Sequence, residues 1–265
     1  WLNIKRIYAD EDNTYDTIIS ALEKVEKHLP YTPEIHITEW NASAYGRNLI
    51  HDTSYVATFI IDNVLKCAGT VDSIGYWTFT DIMEETKAGI SHFHGGFGLI
   101  NKDGLKKPSY YAYYLLSKLG DRVIAQGEDY IVTKRGDDIQ ILAYNFAYFD
   151  DLFLNGDVSA LSETERYLVF EEKPTKEIEI DLSGLEGRYK VTRYMLNREH
   201  GSVFDKWVEM GAPENMTEEE LEFLNGQAIP KINVEYVEVK DKYNTKAYLP
   251  VHGVELITLE KAFSK

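Results

Sequence analysis

The sequence predicts an α/β segment followed by an all-β segment, with the change near residue 120. Two observations predict it. Before that point, stretches of helical apolar spacing alternate with short continuous apolar runs; after it, short strands separated by turn residues dominate. At 265 residues the chain is long enough for two domains with sizeable cores, assigned as 1–120 and 121–265.

In the first segment, residues 14–29 place Ile18, Leu22, Val25 and Leu29 at helical spacing, and Pro30 closes the helix. A strand follows over residues 34–40, then a helix over 53–66 with Val56, Phe59, Ile60 and Val64 on one side. Residues 73–79 form a second buried-type strand. Pro108 opens another helix carrying Tyr111, Leu115 and Leu119, which Gly120 ends. Strand–helix repeats of this size are βα units of a parallel sheet or barrel.

In the second segment, residues 130–133 and 139–144 flank Gly136-Asp137-Asp138 and read as a hairpin. Further strands are expected at 177–182, 189–196, 232–239 and 254–259. Thr217-Glu218-Glu219-Glu220 is a capping box ahead of Leu221 and Leu224, so one helix interrupts them. The whole reads as an antiparallel β-sandwich.

Composition excludes several classes. The net charge of −16, from 44 acidic against 28 basic residues, is a poor match for nucleic acid or an anionic membrane surface. No apolar run nears the ~18 residues of a membrane span. Cys67 is the single cysteine, which rules out internal disulfides and fits a reducing, cytoplasmic compartment. His92 and His94 form an H-x-H pair without a third ligand at metal spacing, so no metal or cofactor is expected. The start, Trp1-Leu2-Asn3, is neither a signal peptide nor an initiator methionine, and the chain reads as a fragment.

Chemistry concentrates at two strand ends, where βα barrels carry their active sites. Glu39 lies at the end of the first strand, before Trp40 and Asn41. Trp77, Phe79 and Asp81 end the second, with Glu84 and Glu85 beyond. A strand-end carboxylate framed by aromatic rings suits a retaining glycosidase: the carboxylate attacks an anomeric carbon while rings stack on sugar C–H faces.

Several motifs carry a specific resemblance. Ile37-Thr38-Glu39-Trp40-Asn41, His51-Asp52-Thr53, Tyr76-Trp77-Thr78-Phe79-Thr80-Asp81, Phe93-His94-Gly95-Gly96-Phe97-Gly98-Leu99, Lys107-Pro108 and Glu199-His200-Gly201 resemble, in order and spacing, the C-terminal half of glycoside hydrolase family 39, the β-xylosidase family. The resemblance implies the C-terminal portion of a (β/α)8 TIM barrel followed by an antiparallel β-sandwich. It implies Glu39 as the nucleophile at the end of barrel strand seven, with Trp40 and Asn41 beside it. Trp77 and Phe79 would line the sugar subsite on strand eight, and Glu84 and Glu85 would reach sugar hydroxyls. The substrate implied is a xylose-containing oligosaccharide.

The family's acid/base glutamate lies in an Asn-Glu-Pro segment, which does not occur in this sequence. Two or three βα units are present, whereas a whole barrel takes about 250 residues. The fragment alone is therefore expected to be inactive, and to associate with its missing N-terminal half or with a second copy. The segment from Tyr110 to Asp121, with Ala143-Tyr144-Asn145-Phe146, more closely resembles a branch fused to AraC-type transcription regulators. That branch implies the alternative of a sugar-sensing module without turnover.

Overall fold

The computed structural model describes residues 8–83 and 89–262. The first part contains α1 (Asn13–His28), β1 (His36–Trp40), α2 (Tyr55–Cys67), β2 (Ser73–Tyr76) and α3 (Pro108–Leu116). Then come β3 (Arg122–Gly127), β4 (Tyr130–Arg135), β5 (Asp138–Tyr144), the single turn α4 (Asp151–Leu154) and β6 (Lys176–Leu196). The chain ends with α5 (Val203–Glu209), α6 (Glu218–Gln227), β7 (Lys231–Leu249) and β8 (Val254–Lys261).

β1 and β2 pair in parallel, with α2 as the crossover between them. Helix α2 is apolar nearly all round, and Tyr55 to Asn63 are buried without interruption, as its sequence demands. On one side Phe59 stacks on Trp40 of β1 at 5.2 Å. One turn earlier, Tyr55 packs against Phe146, Phe149 and Phe170. The hydrophobic core is thus continuous across residue 120, running from Trp40 through α2 to Leu142, Leu196 and Leu256.

The remaining strands form one antiparallel sheet in the order β3-β4-β5-β8-β6-β7. Separate strands were expected at 177–182 and 189–196 where β6 runs unbroken over 21 residues, and the strand expected at 232–239 extends into the 19 residues of β7. The cause is local. Gly184 and Gly187 adopt φ of 74° and 106°, and the register shifts between Ser183 and Leu185. These glycines bend the ladder without ending it. Before the bend β6 pairs with β7 alone, where Ile180 folds over to pack in one cluster with Ile139 and Ile141 of β5; from Tyr189 onward it pairs with β8 as well. The expected strand over 73–79 is also shorter, ending at Tyr76. The Thr217 capping box is present as read, with both reciprocal bonds. Among the described residues no helix is long and apolar enough to cross a membrane.

Candidate functional site at the ends of the parallel strands

Because β1 and β2 are parallel, their C-terminal ends open at the same edge, and the Trp77 N–H donates to the Trp40 carbonyl at 2.8 Å just past the last strand pair. Between Ile37 and Trp40 the ladder slips: Ile37 opposes Ile74 and Trp40 opposes Tyr76, so β1 carries an extra residue. This bulge turns both Ile37 and Trp40 toward the core and leaves Thr38 and Glu39 exposed. Gly75 lies against the bulge, where its missing side chain lets the two backbones approach.

Asn41 ties the strand ends together. Its Nδ2 donates to the carbonyls of Trp77 and Phe97, and its Oδ1 accepts from the Ala42 N–H at 2.6 Å and from the Tyr76 hydroxyl at 3.3 Å. The loop through Phe97 then runs alongside the residues after β2. Thr78 N–H donates to the Phe97 carbonyl at 3.2 Å, and Leu99 N–H to the Thr78 carbonyl at 3.0 Å. Phe97 lies against the His51 ring at 5.2 Å. His51 is buried, with Nδ1 on the Gly95 carbonyl and Nε2 on the Ser43 hydroxyl, both at 3.0 Å. Burial lowers its pKa to about 4, so the ring is neutral at pH 7.

Beneath this loop sits a buried ionic cluster. Lys107 Nζ lies 2.7 Å from Asp52 and 2.9 Å from Asp81, and Arg166 binds the other Asp52 oxygen at 2.8 Å. All four side chains are fully enclosed. Asp52 also accepts from the Gly95 N–H and Asp81 from the Gly98 N–H, so the carboxylates fix the loop backbone. Burial opposes the charge of Asp52, but Lys107 and Arg166 outweigh it and hold its carboxyl below the ordinary range. Asp81 has no arginine, and burial raises its pKa despite Lys107. The motif residues His51, Asp52 and Lys107 were legible in sequence only as a spaced pattern; their joint burial was not, and Arg166 carried no local signal.

The structure brings Glu39, Asn41, Trp77 and Phe79 to one edge. Glu39 is exposed, Trp77 half-buried, and Phe79 62% exposed. Trp40 departs from the expectation of a sugar platform: its ring is 8% exposed, because it shares the core-facing side of β1 with Ile37 and stacks on Phe59. Glu84 and Glu85 lie outside the described residues. Trp207 of α5 is buried against Phe93 at 5.2 Å. Among the described residues no group of three or more His, Cys, Asp or Glu is placed to hold a metal ion.

Comparison with known proteins identifies the family of the chain. The chain is 32% identical over 206 residues to a β-xylosidase of Caldicellulosiruptor saccharolyticus, a match covering 76% of this chain and 39% of that protein. It is 22% identical over 241 residues to an uncharacterized HTH-type transcriptional regulator of Staphylococcus aureus (strain MSSA476), covering 91% of this chain and 31% of the regulator. It thus spans 31% to 39% of the length of such curated relatives. Among solved structures, a monomeric β-xylosidase from Caulobacter crescentus CB15 shares the fold with a TM-score of 0.82 at 23% identity, over 97% of this chain and 52% of that one. The family profile described as Glycosyl hydrolases family 39 matches residues 3–244, and with nearly the whole strand-end arrangement inside that span, the chain belongs to this family.

Proposed function

We propose that this chain carries the nucleophile side of a retaining β-xylosidase-type active site, with Glu39 as the nucleophile. The observation that carries the reading is the bulge in β1. It presents an exposed Glu39 carboxylate at the C-terminal edge of a parallel strand pair, beside Trp77 and Phe79. In this reading β1 and β2 are strands seven and eight of a (β/α)8 barrel, residues 1–120 are barrel units, and residues 121–265 form the sandwich. The parallel pairing across α2 supports the first assignment and the folded-over antiparallel sheet the second.

The Glu39 carboxylate attacks the anomeric carbon of a β-xyloside while a second carboxyl group protonates the departing oxygen. The glycosyl–Glu39 ester then yields to water, deprotonated by that same second group. The two carboxyls must stand about 5 Å apart. The second is supplied from outside this chain, whose sequence lacks the family's Asn-Glu-Pro segment. Asn41, with both amide ends engaged by neighbouring groups, positions the strand ends.

The test is aryl-β-xyloside hydrolysis by the full-length protein and its Glu39→Gln variant, together with a 2-fluoro-xyloside inactivator. The reading requires loss of turnover in the variant and a covalent sugar on the peptide bearing Glu39. Undiminished hydrolysis by the variant would sink it.

The likeness to a transcription regulator over 91% of the chain favours a second reading, a sugar-sensing module. Calorimetry showing xylobiose binding with no turnover by the full-length protein selects it.

A further inference from the structure

β7 is the last strand of the sheet, paired with β6 on one side and with no strand on the other among the described residues. Its first half alternates. Ile232, Val234 and Tyr236 lie on one face, 50%, 53% and 58% exposed, and Asn233 and Glu235 lie on the other. A free edge is a template for pairing with another chain, and soluble proteins blunt it with charge, proline or a bulge.

Elsewhere this sheet follows that rule. β3, the opposite edge, is bulged between Val123 and Ala125. The far half of β7 carries Lys240, Lys242 and Lys246, and Asp241 there adopts a φ of 82°. Between Lys231 and Val237 there is no proline, no register shift and no positive φ. Charge is also locally balanced: the chain carries −16, yet Lys231–Lys240 holds two lysines and two glutamates. Two copies can therefore approach at this stretch without the repulsion they meet elsewhere. The solvated backbone groups gain little by exchanging water for a strand; burial of the apolar row is what favours pairing.

We propose that β7 pairs with β7 of a second copy of this chain, antiparallel, about a two-fold axis at Val234. The contact does not involve Glu39 and is independent of its role. The register follows from the side chains. A sheet continued across a two-fold axis keeps its faces in common, so one residue must lie on the axis opposite itself. With Val234 there, Ile232 meets Tyr236 of the second copy on one face, and Asn233 donates to Glu235 on the other. The paired stretch then runs from Lys231 to Val237. With Glu235 on the axis, two carboxylates would oppose each other. With Tyr236 there, Val234 would face Glu238 and Ile232 would face Lys240. With Asn233 there, pairing would stop at Glu235 and leave Tyr236 against Pro230, which has no N–H to give.

The experiment is light scattering of the full-length protein over a dilution series, with the variants Val234→Lys, Asn233→Lys and Val234→Cys. The unaltered protein has the mass of two chains when concentrated and of one when dilute. Val234→Lys sets two ammonium groups face to face on the axis and has the mass of one chain throughout. Asn233→Lys meets Glu235 in this register and tightens the dimer, an effect that salt removes. Val234→Cys, treated with oxidised glutathione, gives a disulfide-linked dimer. The two introduced thiols lose two protons and two electrons, and one glutathione disulfide is reduced. Cys67 is 1% exposed and does not compete. The mass of one chain at every concentration overturns the proposal, since another part of the full-length protein then covers the strand. An assembly whose size Val234→Lys leaves unchanged also overturns it. So does Val234→Cys linking no better than Glu235→Cys, a result that holds even if Val234→Lys fails to fold.

Discussion

Gly75 faces the carbonyl of Thr38 so closely that a Cβ at position 75 would lie 2.8 Å from the Thr38 oxygen. Thr38 and Glu39 are the residues that the bulge lifts out of the ladder, so the glycine on β2 sets how far β1 can distort. Gly75→Ala forces the two strands apart at this point. The expected cost is about 1–3 kcal/mol of stability, as for other overpacked sites. The displaced peptide joins Thr38 to Glu39, so with Glu39 as the proposed nucleophile kcat for an aryl xyloside is expected to fall well beyond what the stability loss explains, at temperatures where the variant is fully folded. Thermal denaturation alongside steady-state kinetics checks both parts. A variant of wild-type kcat shows that the bulge does not aim the carboxylate.

The cluster under the Phe97 loop makes a sharper stability prediction. Lys107→Met leaves Asp52 and Asp81 enclosed with one cation, Arg166, which contacts Asp52. Removing one member of a buried ion pair costs about 3–5 kcal/mol, because the remaining charge is stranded. Adding Asp81→Asn removes the carboxylate left without a cation, so the double variant recovers part of the loss. Urea denaturation of the two variants measures it. If the double variant is less stable than Lys107→Met by the full cost of a second lesion, Asp81 is not held by Lys107.

The residues explain how far the sequence could be read. The helix of 14–29 and the crossover helix carry their signal within a few turns, as apolar spacing, and both appear within two residues of expectation. The Thr217 cap is equally local. β3 went unread because it lies at the sheet edge with Val123 and Ile124 exposed, so burial imposes no alternation on it. β6 was read as two pieces because Gly184 and Gly187 look like turn residues until their pairing with β7 across the bend is seen. At the strand ends, Glu39 and Trp77 were legible by position. The ion cluster was not, since Asp52 and Arg166 stand 114 residues apart and no spacing rule connects them. Trp40 was legible as an aromatic neighbour of Glu39, but its direction depends on a bulge that period-2 reasoning does not contain.

Two buried histidines set a pH dependence. His51 and His252 have pKa values lowered by burial to about 4 and about 3, against 6.5 for the free side chain. The unfolded chain binds protons at these groups where the folded chain does not. Stability is therefore complete above pH 6.5 and declines as pH falls through the window between 6.5 and the folded values. At pH 5 each group contributes a loss of about 2 kcal/mol. Denaturant midpoints at pH 7 and pH 5 measure the sum, and His51→Gln removes its share of the slope. A slope unchanged in His51→Gln contradicts the assignment to that ring.

Trp40 and Phe79 should behave as opposites, although both are aromatic residues at the same strand ends. Trp40 is buried against Phe59 and Tyr76, so Trp40→Ala opens a cavity in the core. The loss is about 3–5 kcal/mol, and residual activity follows the folded fraction. Phe79 stands 62% exposed, so Phe79→Ala changes stability by about 0.5 kcal/mol or less. If its ring supports the sugar, the variant keeps its melting temperature and shows a raised KM for the xyloside. Melting curves and KM measured together on the two variants separate packing from binding. Equal stability losses would mean that the Phe79 ring is held against the protein, and an unchanged KM would remove it from the sugar site.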